Sequence, residues 1–323
     1  MERYSFPKLM AVMFLFVTNF DLANADNDAC RSKLLLQDYE PNTVYIRKDN
    51  NDIANIDFTI SQMVPIWHNG CGGDESTHPD WFVYPYFAFT GEFGFYALGG
   101  RDSSPVIGKR FNPKLFVRKW LDSDDEYIDF GYAHESNGQT INTEEAYLNK
   151  ISELESKGER SEFANDYLSR GWDYLNIVYK HKMKSPNLLK ENYLYLDLKY
   201  FLKDGIFQGT PEEYYEWETN DGKARDEVDG ISIMLKTRKL SLGTSGNSQS
   251  EVHGFKVYLK YTTGYTNIFE NNTVRAELTY LVKGWLPLSI WASHGYNSSL
   301  TDYYKNVTSY GIGIELRNFL SKI

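Results

Sequence analysis

Residues 274–282 read VRAELTYLV, and residues 309–316, near the end of the chain, read SYGIGIEL. In both stretches apolar residues take every second position, and charged, hydroxylated or glycine residues take most of the positions between them. Successive side chains of a β-strand point to opposite faces, so each stretch predicts a strand with one apolar and one polar face. The same alternation recurs over residues 194–200 and 255–261, which predicts a sheet of several such strands.

From Asn42 onward the chain divides into alternating segments separated by stretches rich in turn residues. The predicted strands are 42–48, 55–66, 80–93, 111–119, 126–136, 171–183, 191–203, 227–238, 251–262, 272–283, 286–296 and 307–320. The odd-numbered connections include the longest, 94–110, 137–170 and 204–226, whereas the even-numbered ones are mostly short. This pattern is typical of outer-membrane barrels, so we predict an all-β fold, a transmembrane antiparallel β-barrel of about 12 strands. A secreted, soluble β-sandwich whose charged faces meet water is the alternative.

The composition of the chain agrees with a membrane barrel. Aromatic residues make up 16% of the 323 residues, which suits strands and the aromatic girdles of such barrels. The mean hydropathy of −0.51 is no objection, because strands that alternate apolar and polar residues average to a polar value. The formal net charge is −10 and the sequence has no cluster of Lys and Arg, which argues against a nucleic-acid partner.

Residues 1–25 have the layout of a secretory signal peptide. Two basic residues precede an unbroken apolar run at 9–17, and residues 23–25 (ANA) form a small-residue cleavage site. The apolar run is too short for a membrane-spanning helix. We therefore predict that the peptide is removed and that residues 26–323 form one barrel domain; an uncleaved N-terminal anchor is the alternative.

The sequence contains two cysteines, Cys30 and Cys71, which fit an oxidising compartment and are too few for a cysteine-rich zinc site. In the predicted topology both lie at the end of the barrel that carries the short turns. A disulfide between them is topologically possible, and the sequence leaves open whether it forms.

Predicted strand five and the residues that follow it, 127–138, read YIDFGYAHESNG. His134 and Ser136 lie two positions apart, on the face that also carries apolar side chains. On the next predicted strand, Asp173 is likewise in phase with the apolar residues. An imidazole, a hydroxyl and a carboxylate that face lipid are costly to place there without a function.

These three side chains are the set that nucleophilic acyl transfer requires. Ser136 would attack, His134 would take its proton, and Asp173 would orient the imidazole and stabilise its charged form. The pattern alone leaves a second interpretation open, in which they are ordinary interfacial residues at the ends of strands. The sequence lacks a Gly-x-Ser-x-Gly motif, which argues against an α/β-hydrolase.

Residues 134–138, HESNG, and residues 169–173, SRGWD, resemble the two-part active-site signature of the outer-membrane phospholipase A family. That signature reads His-x-Ser-Asn-Gly, then Ser-Arg-x-Trp followed by a polar residue. Residues 103–105 and 112–116 are similar to the family's loop between strands three and four. The resemblance covers the chain from about predicted strand two to the C-terminus, and the paired motif is specific.

The resemblance implies a calcium-dependent enzyme with phospholipase A1 and A2 activity, located in the Gram-negative outer membrane. It would hydrolyse acyl esters of phospholipids and lysophospholipids at the external leaflet. It would be active as a homodimer with one Ca²⁺ per monomer. The ligands would be the Ser169 hydroxyl, the backbone carbonyl of Gln139 and the carbonyl of Ser103 of the partner subunit, and the cation would polarise the scissile carbonyl.

Asn137, Gly138 and Arg170 belong to the same signature and are candidate substrate-binding residues. Arg170 would pair with a lipid phosphate or a lipopolysaccharide group, or would form a structural salt bridge instead.

Two of the chain's departures from the family pattern bear on the active site. Asp173 stands where the best-known relatives have Asn, and an aspartate can perform the same orienting role. Residues 140–168 form a long insertion, and Thr143 with the apolar spacing after it predicts a short amphipathic helix there. The helix would cap the site, recognise lipid headgroups or lie in solvent. The alternative function is a catalytically silent barrel, a pore or a structural protein.

Overall fold

The computed structural model describes residues 37–50, 54–66, 83–96, 106–121, 126–184, 192–203, 205–207, 223–237, 240–241, 254–281 and 287–316. The predicted signal peptide, both cysteines and Ser103 lie outside these residues. No helix within the described ranges is long and apolar enough to cross a membrane.

Twelve long strands form one antiparallel sheet in which each strand pairs with its neighbours along the chain. They are β1 Asn42–Asp49, β2 Ala54–Pro65, β3 Tyr84–Tyr96, β4 Ile107–Trp120, β5 Tyr127–Ser136, β6 Gly171–Met183, β7 Asn192–Phe201, β8 Gly230–Thr237, β9 Gly254–Gly264, β10 Thr273–Leu281, β11 Leu288–Gly295 and β12 Val307–Leu316. β1 also pairs with β12, which closes the sheet into a barrel. A two-residue segment, Leu240–Ser241, pairs with the start of β9. The predicted twelve-stranded antiparallel barrel is confirmed.

The wall of the barrel separates side chains as the alternation predicts. On β12, Tyr310 and Ile312 point outward and are about half exposed, whereas Ser309 and Glu315 point inward and are buried. A closed barrel pairs the backbone groups of its strands with one another. Its outer surface carries mainly apolar side chains, as in membrane barrels.

Charged side chains inside the barrel are held by ion pairs. At the end of β5 remote from Ser136, Arg118 donates to the two carboxylate oxygens of Asp129 at 2.7 and 2.8 Å. Lys256 of β9 pairs with Glu315 of β12. Buried charges require such partners, because removing an ion from water is costly. The interior is therefore a packed polar core at these positions.

Long connections gather at the end of the barrel where β5 terminates. The helices in them are α1 (Glu144–Ser156), a 3₁₀ helix (Ser161–Tyr167) and the one-turn α2 (Arg225–Val228). Thr143 caps α1 by accepting a hydrogen bond from the backbone of Ala146, so the helix predicted after Thr143 is confirmed. Tyr96, at the end of β3, donates its hydroxyl to Asp166 at 2.7 Å, which fastens the insertion to the barrel rim.

Several strand boundaries differ from the prediction. Predicted strand eight began at residue 227, but β8 begins at Gly230, because the Glu227 carboxylate accepts a hydrogen bond from the backbone of Ala224 and closes a helical turn. Strands β3 and β4 extend beyond the predicted ends to Tyr96 and from Ile107, because their pairing continues past an irregularity after Glu92.

Candidate active site

The register of β5 and β6 brings the three predicted catalytic residues together. The two strands are antiparallel and place His134 opposite Asp173 and Ser136 opposite Gly171. All four residues belong to the outward face, as their phase with the exposed apolar residues of these strands requires.

A short contact joins the imidazole and the carboxylate. His134 Nδ1 lies 2.7 Å from Asp173 Oδ1, the length of a charge-assisted hydrogen bond. The Asp173 side chain is 0% exposed and that of His134 is 13% exposed. The backbone N–H of Phe207 donates to Asp173 Oδ2 at 2.8 Å, so both carboxylate oxygens have a partner. The carboxylate is therefore positioned to fix the ring orientation of His134.

Gly171 keeps the space beside the serine and the histidine open. A Cβ atom added at Gly171 would lie 3.5 Å from His134 Cε1 and 3.6 Å from Ser136 Cβ. The side chains of His134 and Ser136 therefore flank a position that carries no side chain of its own.

Behind His134 and Ser136, the inward face of β5 carries a buried carboxylate. Glu135, which lies between these two residues in the sequence, is fully buried. Its Oε2 accepts from Arg110 Nη2 at 2.7 Å, and its Oε1 accepts from Arg225 Nη2 at 2.8 Å. Two guanidinium groups on one carboxylate compensate the buried charge and restrain the strand at His134 and Ser136.

The contacts around Glu135 extend into a larger network, which we call the lumen cluster. Its members are Arg110, Glu135, Lys199, Arg225 and Asp229. Asp229 receives Lys199 at 2.9 Å and Arg225 at 3.1 Å. The backbone is held as well, since Asn112 Nδ2 donates to the carbonyl of His134 at 3.1 Å.

Asn137 joins the end of β5 to the start of β6. Its Oδ1 accepts from the backbone of Arg170 at 3.0 Å and of Gln139 at 3.2 Å, and its Nδ2 donates to the Leu168 carbonyl at 2.7 Å. The residue is 3% exposed. Asn137 is therefore buried within the connection between β5 and β6. There it links the segment after β5 to the segment before β6.

Gln139 lies in the segment after β5, and Ser169 lies in the segment before β6. Asn137 joins these two segments. Ser169 N donates to the Ile141 carbonyl at 2.9 Å, and Gln139 Nε2 donates to the Asp166 carbonyl at 2.7 Å. The insertion therefore leaves the two predicted calcium ligands on neighbouring segments. A hydroxyl and a carbonyl are hard oxygen donors that suit Ca²⁺, and no group of three His, Cys, Asp or Glu forms a metal site among the described residues. The donor set fits calcium in type, with further ligands needed from outside it.

The other candidate residues take different positions. Arg170 is 1% exposed and donates to the carbonyl of Ser169. Gly138 is exposed and has a φ of +60°, a conformation that favours glycine. Ser103 lies outside the described residues.

Three contributors to the site were not predicted from the sequence. Glu135 had a usable signal, because an acidic residue between His134 and Ser136 must face inward. Arg225 and Phe207 had none, since both come from the connection between β7 and β8 and reach the site only through tertiary structure.

No protein-family model and no curated protein sequence matches the chain. Among solved structures, outer membrane phospholipase A from Escherichia coli matches with a TM-score of 0.58 and 16% identity, over 91% of this chain and 94% of that chain. The outer membrane phospholipase of Salmonella typhi, solved as a dimer with bound calcium, matches with a TM-score of 0.58 and 16% identity, over 90% of this chain and 97% of that chain. The chain therefore has the fold of a phospholipase-like outer-membrane β-barrel.

Proposed function

We propose that the protein hydrolyses acyl ester bonds of phospholipids and lysophospholipids, with Ser136, His134 and Asp173 as its catalytic residues. The observation that carries this proposal is the 2.7 Å contact between His134 and Asp173, on the face of the wall that also carries Ser136. A paired imidazole and carboxylate beside a serine is the arrangement that activates a hydroxyl for acyl transfer.

The reaction proceeds in two steps. Ser136 Oγ attacks the ester carbonyl while His134 Nε2 takes its proton, and Asp173 stabilises the imidazolium through Nδ1. The bond between the acyl carbon and the ester oxygen then breaks, His134 gives the proton to the leaving alcohol, and the acyl group stays on Ser136. Water, activated by His134, releases the fatty acid and restores the serine.

The position of the site selects lipids as substrates. Phe130 on β5 and Ile177 on β6 share the outer face with the catalytic residues and are 52% and 43% exposed. An acyl chain in a membrane meets such a surface directly, whereas a soluble ester would have to leave water to reach it. We place the site at the external leaflet of a Gram-negative outer membrane, at the end of the barrel that carries the long connections.

Calcium belongs to this proposal as the group that supplies positive charge to the developing oxyanion when it is bound. The Ser169 hydroxyl and the Gln139 carbonyl would hold it, with one Ca²⁺ per monomer. A homodimer would add the carbonyl of Ser103 of the partner subunit, and the site on one chain would be incomplete without it.

The proposal is tested by the release of fatty acid from phospholipid in detergent micelles by refolded protein, with calcium and with chelator. We expect Ser136→Ala to lower the rate by about 10⁴-fold or more, and chelation to abolish the wild-type rate. The matched control is Thr308→Ala, which removes an outer-face hydroxyl that lies 2.8 Å from His294 Nδ1. It should retain the wild-type rate.

Each contrary outcome has a defined meaning. A rate that survives chelation would keep the serine hydrolase and remove calcium from the mechanism. A wild-type protein that is folded, as judged by its heat-modifiable mobility on gels, and yet inactive would favour the silent barrel.

A further inference from the structure

A short segment after β7 folds back over the catalytic carboxylate. The backbone N–H of Leu202 donates to the Asp173 carbonyl at 2.9 Å, and the N–H of Phe207 donates to Asp173 Oδ2 at 2.8 Å. Between these contacts, the N–H of Ile206 donates to the Tyr132 hydroxyl at 2.7 Å. The chain therefore crosses the outer ends of β5 and β6 directly above Asp173.

Gly205 makes this close crossing possible. A Cβ atom at Gly205 would overlap Oδ2, Cβ and Cγ of Asp173. The backbone thus rests against the carboxylate with no room for a side chain, and any other residue would lift the segment away.

Both oxygens of Asp173 have a hydrogen-bond partner. His134 Nδ1 lies at Oδ1, and the Phe207 N–H donates to Oδ2. The Tyr132 hydroxyl accepts a hydrogen bond from the Ile206 N–H, which holds the segment in place beside the carboxylate. The carboxylate is 0% exposed although it belongs to the lipid-facing side of the wall.

From this geometry we propose that Gly205–Phe207, together with Tyr132, is a positioning element that holds residue 173 specifically as a carboxylate. The inference rests on the proposed function, because it concerns the residue that orients His134. A carboxylate facing hydrocarbon is costly unless it is covered and hydrogen-bonded. The segment supplies both the cover and one of the hydrogen-bond donors, the Phe207 N–H.

The hydrogen-bond donors around residue 173 explain why the chain has Asp173 where the family it resembles has asparagine. A carboxylate offers two acceptor oxygens, whereas an amide offers one oxygen and an NH₂ group that only donates. With asparagine, either His134 or the Phe207 N–H would face another donor. A buried donor left without an acceptor is destabilising, so the segment selects aspartate.

The side chains of the segment complete the cover. The Phe207 ring lies 5.7 Å from the His134 ring and 6.3 Å from the Tyr132 ring, measured between centroids. This places an aromatic side chain beside the imidazole.

The test is a double-mutant cycle between Gly205→Ala and Asp173→Asn, measured as kcat and KM on micellar phospholipid. We expect Gly205→Ala alone to lower kcat by about 10- to 100-fold with KM nearly unchanged, because the substitution displaces the cover from Asp173. In the Asp173→Asn background it should cost less than about 3-fold, because the element then has no carboxylate to hold.

A second variant checks the hydroxyl. Tyr132→Phe should lower kcat by about 5- to 10-fold, because the segment loses the hydrogen bond between the Ile206 N–H and the Tyr132 hydroxyl. Its matched control is Tyr200→Phe, a change at a 60% exposed tyrosine of β7, and it should leave kcat unchanged. Heat-modifiable mobility on gels identifies any variant that fails to fold.

Three outcomes would overturn the inference: an unchanged kcat in folded Gly205→Ala, equal losses in both backgrounds, or a fully active Asp173→Asn. A wild-type protein without Ser136-dependent hydrolysis would refute the proposed function instead. In that case the thermal unfolding midpoints of the same four proteins still decide the inference. Asp173→Asn should lower the midpoint when Gly205 is present and should have a smaller effect in Gly205→Ala.

Discussion

The two faces of β5 carry different kinds of side chain at adjacent positions. Outward, His134 is 13% exposed and stands beside Ser136 on an apolar wall. Inward, Glu135 and Asp129 are 0% and 1% exposed, and both are bound by arginines. The outer face thus carries chemically reactive groups, whereas the inner face carries charges that are already fully paired. One strand serves both roles because its alternate side chains never share an environment.

The difference predicts that substitutions on the two faces will fail in different ways. On the proposed function, an outer-face group such as Ser136 contributes mainly to the transition state. An inner-face group leaves an uncompensated buried charge when its partner is removed, which costs stability. Measuring activity and unfolding in parallel separates the two cases.

The largest effect is expected for His134→Ala. Removing the base should lower kcat/KM by about 10⁴-fold or more, since triad members act as a unit. The unfolding midpoint should fall less than in Glu135→Ala, because Asp173 loses one hydrogen bond but keeps the one from the Phe207 N–H. His294→Ala is the control, an outer-face histidine on β11 without a carboxylate partner in the described contacts. A similar loss in both variants would contradict the assignment of His134 as the base.

The next largest effect is expected for Glu135→Ala. It leaves Arg110 and Arg225 facing each other without their carboxylate, which should cost about 3–5 kcal/mol of stability. Activity should fall as well, because Glu135 restrains the strand between His134 and Ser136. Chemical unfolding monitored by tryptophan fluorescence measures the first effect, and micellar hydrolysis measures the second.

The control for this prediction is Asp129→Ala on the same inner face. Asp129 lies six positions before Glu135, towards the other end of β5. It is bound by a single arginine, Arg118. Its removal should also destabilise the barrel, by about 1–3 kcal/mol, and should leave kcat/KM within about 2-fold of wild type. If Asp129→Ala lowered activity as much as Glu135→Ala, the lumen cluster would have no special role in positioning.

The same comparison shows which parts of the molecule the sequence could reveal. Side-chain direction along a strand is a local property, so alternation predicted twelve strands and the shared face of His134, Ser136 and Asp173. The register that places His134 opposite Asp173 was not predicted, because antiparallel pairing alone does not fix it. The distance of 2.7 Å between His134 and Asp173 needed the structure.

The contacts that alternation could not predict come from remote connections. Phe207 is 34 residues from Asp173 along the chain, and Arg225 is 90 residues from Glu135. No periodic pattern links such positions, because their contacts depend on how the connection between β7 and β8 crosses the rim. Gly205 is an example of a contact that the sequence could not predict. A single glycine in a turn-rich stretch gives no indication that it packs against a carboxylate.

A smaller effect is expected for Gly171→Ala, which keeps every catalytic group in place. The added methyl would lie at ordinary contact distance from His134 and Ser136, so the fold should be unaffected. It would occupy the space through which the ester carbonyl approaches, and kcat/KM should fall by about 10-fold, or about 1.4 kcal/mol of transition-state free energy. An unchanged kcat/KM would mean that the substrate reaches Ser136 from another side.

The smallest effect is expected at Glu153 on α1, which lies far from either face of β5. Lys150 and Lys157 lower the pKa of Glu153 from its ordinary value of 4.5 to about 2. Any stability from these pairs is therefore present above pH 4.5 and is lost as the pH falls towards about 2. Because all three side chains are solvent-accessible, water screens the pairs, and Glu153→Gln should change neither the unfolding midpoint nor kcat/KM at neutral pH. A measurable loss of activity in this variant would show that the insertion takes part in catalysis or substrate binding, and would extend the functional surface beyond the outer wall of the barrel.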